Sequence, residues 1–194
     1  MQLRCILIAM ARRHTPLAAL LAPVLTLLAA SAPVHAALPV GAVAPAFTTQ
    51  GALNGQPFGF DLKKALRKGP VVLYFYPKAF TQGCTLEAHA FSEASDDFHK
   101  AGATIVGMSN DSVPVLQKFS TEACRGKFAV ASATPKIVAD YDVDLKREGV
   151  STGLTSRTSY VISRAGKVVM VHSDMNYADH VKLTLAAVQS LKGK

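Results

Sequence analysis

The stretch Val71-Val72-Leu73-Tyr74-Phe75-Tyr76 is apolar at every position and rich in β-branched and aromatic side chains; Gly69-Pro70 precedes it and Pro77 follows it. An alternating pattern would mark a strand with one wet face. A short continuous run between turn signals marks a strand buried on both faces, at the centre of a sheet. Such a strand needs cover on two sides, which confines the chain to a layered α/β architecture.

The flanking residues supply those layers. Phe47–Thr49 and Phe58–Phe60 are short strands around an Asn54-Gly55 turn, and Asp61 caps a helix that runs through Arg67. After Cys84 the apolar positions fall at 84, 88, 91 and 98, a helical rhythm that ends near Lys100 before Gly102. Thr104–Met108 is a further strand. Ser109-Asn110-Asp111 then caps a helix with Val113, Leu116, Phe119 and Ala123 on one face and Pro114 in its first turn. Phe128–Ala131 reads as a short strand and Pro135–Tyr141 as a helical turn. Thr158–Ile162 and Lys167–His172 form a hairpin around Ser163-Arg164-Ala165-Gly166, and a last helix over Tyr177–Leu191 presents Val181, Leu185 and Val188 inward. The sum is one α/β domain, a central mixed sheet with helices on both faces.

That domain is expected to begin at residue 37. Arg4, Arg12 and Arg13 precede an alanine- and leucine-rich run from Leu17 to Ala32, and Pro33-Val34-His35-Ala36 follows as a small-residue cleavage pattern. The order basic, apolar, small is that of a secretory signal peptide cut after Ala36, which directs the protein to the periplasm or the medium. The alternative is an uncleaved anchor, against which Pro16, Pro23, Pro33 and the Val-x-Ala ending stand. Translation from Met10 and export through an Arg12-Arg13 signal are further readings of the same stretch. Residues 37–194 hold no other apolar segment long enough to span a membrane. Three of the 21 Lys and Arg precede residue 37 and none of the 13 acids does, leaving 18 bases against 13 acids, a formal charge of +5. Those bases are scattered, and the densest group (Lys63, Lys64, Arg67, Lys68) suits a solvated helix face, so a nucleic-acid partner is not expected.

Cys5 belongs to the leader, so the remaining domain has two cysteines, Cys84 and Cys124, with no Cys-x-x-Cys and no His/Cys cluster at zinc spacing. Two are too few for a disulfide scaffold, and neither a metal nor a cofactor is expected. Cys84 follows the central strand, its proline and a short loop, and it opens a helix. The unpaired N–H groups of a first turn and the helix dipole both favour an anion there, so this is a place for a thiolate. The plainer alternative is a small buried hydrophobe.

Pro77-x-x-x-Thr81-x-x-Cys84 resembles the signature of the peroxiredoxins. Tyr74-Phe75-Tyr76-Pro77-Lys78 with Gly83-Cys84-Thr85-x-Glu87 is similar to the peroxiredoxin Q, or bacterioferritin comigratory, branch. Val40-Gly41 with Pro45 and Phe47, Gly107-Met108-Ser109, and Arg157-Thr158-Ser159-Tyr160-Val161-Ile162 extend the likeness over roughly residues 38–190. The resemblance implies a thioredoxin-like fold and a thiol-dependent peroxidase for hydrogen peroxide or alkyl hydroperoxides, reduced by a thioredoxin-like protein or a small thiol and present as a monomer or homodimer. It implies that Cys84 attacks the peroxide and becomes a sulfenic acid. Pro77 would shield the thiol, and Thr81 would hold the peroxide by donating one hydrogen bond and accepting another. Arg157 would stabilise the thiolate and the charged transition state. Helix capping by Thr81 and a surface position for Arg157 are the plainer alternatives. Glu87 stabilises the first helical turn or, by the resemblance, orients Arg157, although a carboxylate facing the sulfur opposes a thiolate.

One position departs from the branch. Many of its members carry a resolving cysteine five residues after the peroxidatic one, where this chain has His89. Cys124 is the remaining candidate, near the end of the following helix, and its alternative is a buried thiol beside Phe119 and Phe128. Two rival functions stay open at this point. A disulfide oxidoreductase of the thioredoxin type would need a second cysteine where Thr81 or Glu87 stands. A non-catalytic binding module on the same fold would make Cys84 incidental.

Overall fold

The computed structural model describes residues 37–192, and the expected leader at 1–36 lies outside the described residues. Its elements run β1 (Thr48–Leu53), β2 (Gln56–Asp61), α1 (Leu62–Lys68), β3 (Val71–Phe75), α2 (Gln82–Lys100), β4 (Thr104–Ser109), α3 (Val113–Glu122), β5 (Ala129–Ser132), α4 (Pro135–Asp140), β6 (Asp144–Arg147), β7 (Val150–Thr155), β8 (Thr158–Ile162), β9 (Val168–Ser173) and α5 (His180–Gln189). Seven strands form one mixed sheet in the order β2-β1-β5-β4-β3-β8-β9, and β6 and β7 form a separate hairpin. Strands β3, β4 and β5 are parallel, and β8 runs antiparallel to β3.

The period-two alternation of side chains sorts the all-apolar β3 onto both faces of the sheet. Val72 and Tyr74, with Tyr76 just beyond the strand, pack with Cys84, Ala88 and Phe91 of α2, Leu116 and Phe119 of α3, and Val188 of α5. Val71, Leu73 and Phe75 pack on the opposite face with Leu62 and Leu66 of α1, Ile137 and Val138 of α4, and Tyr160. All five strand residues are fully buried. The expected α/β layering, a mixed sheet covered on both faces, is what the chain adopts.

Local chemistry explains most boundaries. Asn54 (φ 47°) and Gly55 (φ 76°) form the tight turn between β1 and β2, and the Asp61 side chain accepts from the Lys64 N–H to cap α1. Two sequence expectations need correction, and one hairpin carries no sequence signal. Ser112, not the Ser109–Asp111 group, is the N-cap residue of α3, because the Asp111 carboxylate is occupied elsewhere. The last helix starts at His180 and buries His180, Thr184 and Val188, while Val181 and Leu185 are only partly covered. The inward stripe is therefore rotated toward two polar residues, which bond within the fold. The β6–β7 hairpin carries no alternating pattern, since Val150–Gly153 are all exposed, and its turn uses Glu148 (φ 52°) and Gly149 (φ 80°). Among the described residues no helix is long and apolar enough to cross a membrane.

Gly107 on β4 faces Tyr74 on β3 across the ladder. A Cβ there would lie 2.8 Å from the Tyr74 hydroxyl and ring, and that ring is stacked on Phe91 at 4.3 Å with no space to retreat. Gly107→Ala is therefore expected to lower the unfolding free energy by about 1–3 kcal/mol. A lower midpoint in urea with an unchanged far-UV spectrum checks it.

Candidate active site

The site is built where the parallel strands end. The Tyr76 N–H donates to the Met108 carbonyl at 2.9 Å, one last ladder bond past β3, and Pro77 has no N–H with which to continue. The Tyr76 carbonyl instead accepts from the buried Thr155 hydroxyl at 2.6 Å. The loop that follows is held by Asp111. Its carboxylate accepts from the Ala79 N–H at 2.8 Å and from the Ser109 hydroxyl at 2.8 Å. Phe80 then adopts φ 64°, a left-handed conformation that costs a bulky L-residue about 1–3 kcal/mol. Its ring meets Phe119 edge-on at 5.2 Å, and Phe119 in turn lies 5.3 Å from Tyr76. The strained residue turns the chain sharply into α2.

Thr81 is the N-cap residue of α2, with extended backbone angles and no side-chain capping bond. Its hydroxyl donates to the Lys78 carbonyl at 2.9 Å, so the oxygen lone pairs are what it can offer to a ligand. Cys84 occupies the third helical position and is 1% exposed. It stands two residues inside the helix rather than opening it, but its N–H is still among those that find no partner in a first turn. No side chain caps this end, which leaves the positive pole of the dipole directed at the sulfur's neighbourhood.

Arg157 comes from the residue before β8 and is 4% exposed, not a surface arginine. Its Nη2 donates to Cys84 Sγ at 3.5 Å, its Nη1 to Glu87 Oε2, and its Nε to the Met175 carbonyl at 2.9 Å. Gly83 allows this approach, since a Cβ there would lie 3.2 Å from Nη2. Burial opposes the guanidinium charge, but Glu87 and Cys84 outweigh it and hold the group more firmly protonated than an ordinary arginine. Glu87 is itself fully buried. Burial pushes its carboxyl up to about 8, with the charge and hydrogen bonding of Arg157 countering only part of that rise. Glu87 thus orients Arg157 while resisting full ionisation, which eases the conflict with a thiolate on the same helix.

Cys124 is not on a helix. It follows the C-cap residue Ala123 of α3, with its N–H donating to the Phe119 carbonyl at 3.1 Å. It is fully buried in the same cluster as Cys84, Tyr74, Tyr76, Phe119 and Phe128, and both cysteines are free thiols. Burial drives its thiol well above the ordinary range. His89 is half-buried on α2. Pro77 is half-buried at the mouth of the loop. The structure thus brings Cys84, Arg157 and Glu87 into direct contact. Thr81 stands at the helix entrance, and Cys124 lies in the core below.

Sequence reasoning missed Asp111 as a loop brace, Thr155, and the pair Ser159 and His180 beneath Glu87. For His180 the signal was a polar residue at the i, i+4, i+8 positions shared with Thr184 and Val188. Thr155 gave none, because its role depends on a hairpin without a pattern.

The AhpC/TSA family matches residues 40–171. The chain belongs to it. Among curated relatives, chloroplastic peroxiredoxin Q of Sedum lineare is 32% identical over 153 residues, 78% of each chain. Among solved structures, the peroxidoxin BcpB of Mycobacterium tuberculosis superposes with a TM-score of 0.69 at 30% identity, covering 79% of this chain and 98% of that one. A Xanthomonas campestris bacterioferritin comigratory protein, described for its alkyl peroxide reduction activity, gives 0.63 at 29% identity over 73% and 90% of the two chains. This peroxiredoxin is a thiol-dependent peroxidase with a thioredoxin-like fold. The disulfide-oxidoreductase and binding-module alternatives are not favoured.

Asp111 carries the loop of this peroxiredoxin on one carboxylate. Asp111→Ala leaves the buried Ala79 N–H without a partner, and the expected loss is about 1–3 kcal/mol in urea unfolding. Peroxide turnover should fall about tenfold or more as the start of α2 loosens; coupled consumption assays on the folded variant measure it.

Proposed function

We propose that Cys84 is the peroxidatic thiol, and one observation carries this reading: its sulfur sits in the first turn of α2 within 3.5 Å of the Nη2 of a buried arginine. The thiolate attacks the terminal oxygen of a hydroperoxide. The O–O bond breaks, a Cys84 S–O bond forms, and the leaving alkoxide or hydroxide takes a proton, leaving Cys84 as sulfenic acid and releasing an alcohol or water. Arg157 stabilises the sulfur anion before the step and the oxygens during it, and the free N–H groups of the first turn add to this. Thr81 accepts a hydrogen bond from the peroxide O–H on its hydroxyl lone pairs, and Pro77 limits water at the mouth. Hydrogen peroxide and alkyl hydroperoxides are the substrates, the latter supported by the activity ascribed to the Xanthomonas relative.

Cys124 is the resolving residue in this reading. Its thiol attacks the Cys84 sulfenic sulfur, an S–S bond forms, and the thiol proton leaves with the hydroxyl group as water. A protonated thiol in the core is a poor nucleophile, so the turn bearing Cys124 and the first turn of α2 must open for the sulfurs to meet. That turn is tethered to α2 by Arg125–Glu93 at 3.5 Å and Lys127–Asp96 at 3.6 Å, exposed pairs worth about 0–1 kcal/mol each. A thioredoxin-like protein or a small thiol then reduces the disulfide. The leader pattern supports export to the periplasm or medium, where that donor must act, and the working form is a monomer or homodimer.

Cys84→Ser is expected to abolish peroxide consumption, and Arg157→Gln to lower its second-order rate about 10²–10³-fold. After one equivalent of peroxide, non-reducing mass spectrometry should find a Cys84–Cys124 bridge. A lasting sulfenic acid beside free Cys124 would refute the two-cysteine route, leaving a one-cysteine peroxidase.

A further inference from the structure

Behind Arg157 lies a buried group of polar side chains that the peroxide chemistry above does not use. His180, the first residue of α5, is fully buried. Its Nε2 is 2.9 Å from the Asp174 carbonyl. A carbonyl only accepts, so Nε2 carries a hydrogen and Nδ1 holds the lone pair of the neutral ring. Nδ1 faces the Ser159 hydroxyl at 2.8 Å and Glu87 Oε1 at 3.7 Å. Glu87 Oε1 is buried without a hydrogen-bond partner, while Oε2 is taken by Arg157.

A lone pair on Nδ1 and a lone pair on an ionised Oε1 repel, whereas one proton between them satisfies both. The Ser159 hydroxyl can turn to donate to a bare Nδ1 or to accept from a protonated one. The charges of the site lead to the same place. With Cys84 and Glu87 both ionised, a single guanidinium would face two anions in a space closed to water, and a buried net charge is costly.

We propose that His180 is a positioning residue for Cys84: together with Glu87 it holds one shared proton, which keeps that pair neutral and leaves the Arg157 charge to the sulfur. This deepens the proposed function and rests on its reading that Cys84 acts as a thiolate. The groups that face the pair are Cys84 on the same helix as Glu87, Arg157 before β8, Tyr74 on β3, His172 on β9 and Asp174 after it. His172 meets the His180 ring edge-on at 4.6 Å. Burial, ahead of the opposing pull of the Asp174 carbonyl, takes His180 down to about 4, and burial takes Glu87 up to about 8, so at neutral pH the proton resides on Glu87. The proton is present below about pH 8 and leaves as pH rises through that value. Above it a Glu87 carboxylate competes with the peroxide oxygens and the sulfur for Arg157, and the rate with peroxide declines.

The test is the rate of Cys84 alkylation by iodoacetamide as a function of pH, read on the Cys84 peptide by mass spectrometry, in the wild type, His180→Gln, Glu87→Gln and the double variant. Glutamine at 180 donates to Glu87 and holds no transferable proton, so the midpoint of alkylation should rise by about one pH unit, a tenfold loss of thiolate below it. Glu87→Gln imitates the protonated acid, and adding it to His180→Gln should return the midpoint to the wild-type value or below it. Glu87→Gln should also remove the decline of peroxide rate near pH 8. A folded His180→Gln with an unshifted midpoint, or a double variant without rescue, overturns the proposal. Should His180→Gln not fold, the infrared band of a protonated buried carboxyl at pH 7 decides: its presence in the wild type and loss in Glu87→Gln support the proposal, and its absence from the wild type overturns it. Alkylation requires no peroxide, so a wild type that alkylates with these midpoints yet consumes no peroxide would sink the peroxidase reading and leave the shared proton standing.

Discussion

One guanidinium holds this site together. Arg157 directs its three nitrogens at three acceptors in two parts of the chain: the sulfur of Cys84 and the carboxyl of Glu87, both on α2, and the Met175 carbonyl beyond β9. The planar fork of an arginine reaches such divergent acceptors at once, which the point charge of a lysine cannot do. Because the residue precedes a central strand, its backbone is fixed by the antiparallel pairing of β8 with β3. The position of the charge relative to the sulfur is therefore a property of the sheet, with little left to side-chain freedom.

The sheet also explains why the two cysteines share one compartment. β3 is flanked by the parallel β4 on one side and the antiparallel β8 on the other. Tyr74 and Tyr76 project to the face on which α2 and α3 pack, so the core beneath Cys84 is lined by their rings, and Cys124 closes it from the α3 side. Tyr74 and Tyr76 hydroxyls lie there without partners. Orphaned polar atoms and a left-handed Phe80 cost stability, and such costs gather where a fold is shaped for chemistry. The site is in this sense the least relaxed part of a well-packed domain.

Much of this was legible in the chain. The uninterrupted apolar run of β3, the Pro77-to-Cys84 spacing and Arg157 ahead of an apolar strand are local patterns, and each marks its element directly. What stayed hidden depends on tertiary proximity. Asp111 reads as a cap because Asp after Ser-Asn usually is one, yet its carboxylate is drawn to Ala79, 32 residues away. His180 lies on a helix whose apolar residues suggest a different inward face, and only the bonds to Ser159 and Asp174 make a buried imidazole tolerable there. The β6–β7 hairpin has neither alternation nor burial to announce it, and it reaches the site through Thr155, on the Tyr76 carbonyl.

The same geometry separates the two halves of a catalytic cycle. In the proposed cycle, attack on peroxide requires the folded site, since the buried arginine and the uncapped first turn meet at the sulfur only when α2 is fully wound. Under the proposed two-cysteine route, resolution by Cys124 requires the opposite, because burial keeps its thiol protonated and dry in that state. A fold that must do both needs segments of unequal stability. The β3–α2 junction is secured by hydrogen bonds at Tyr76 and Ala79, whereas the turn carrying Cys124 is joined to α2 by core packing and by exposed ion pairs, and its left-handed residues Arg125 and Gly126 follow immediately. Opening at the first turn of α2 and at the Cys124 turn leaves the bond from Arg157 to the Met175 carbonyl, which belongs to neither segment, in place for the next substrate.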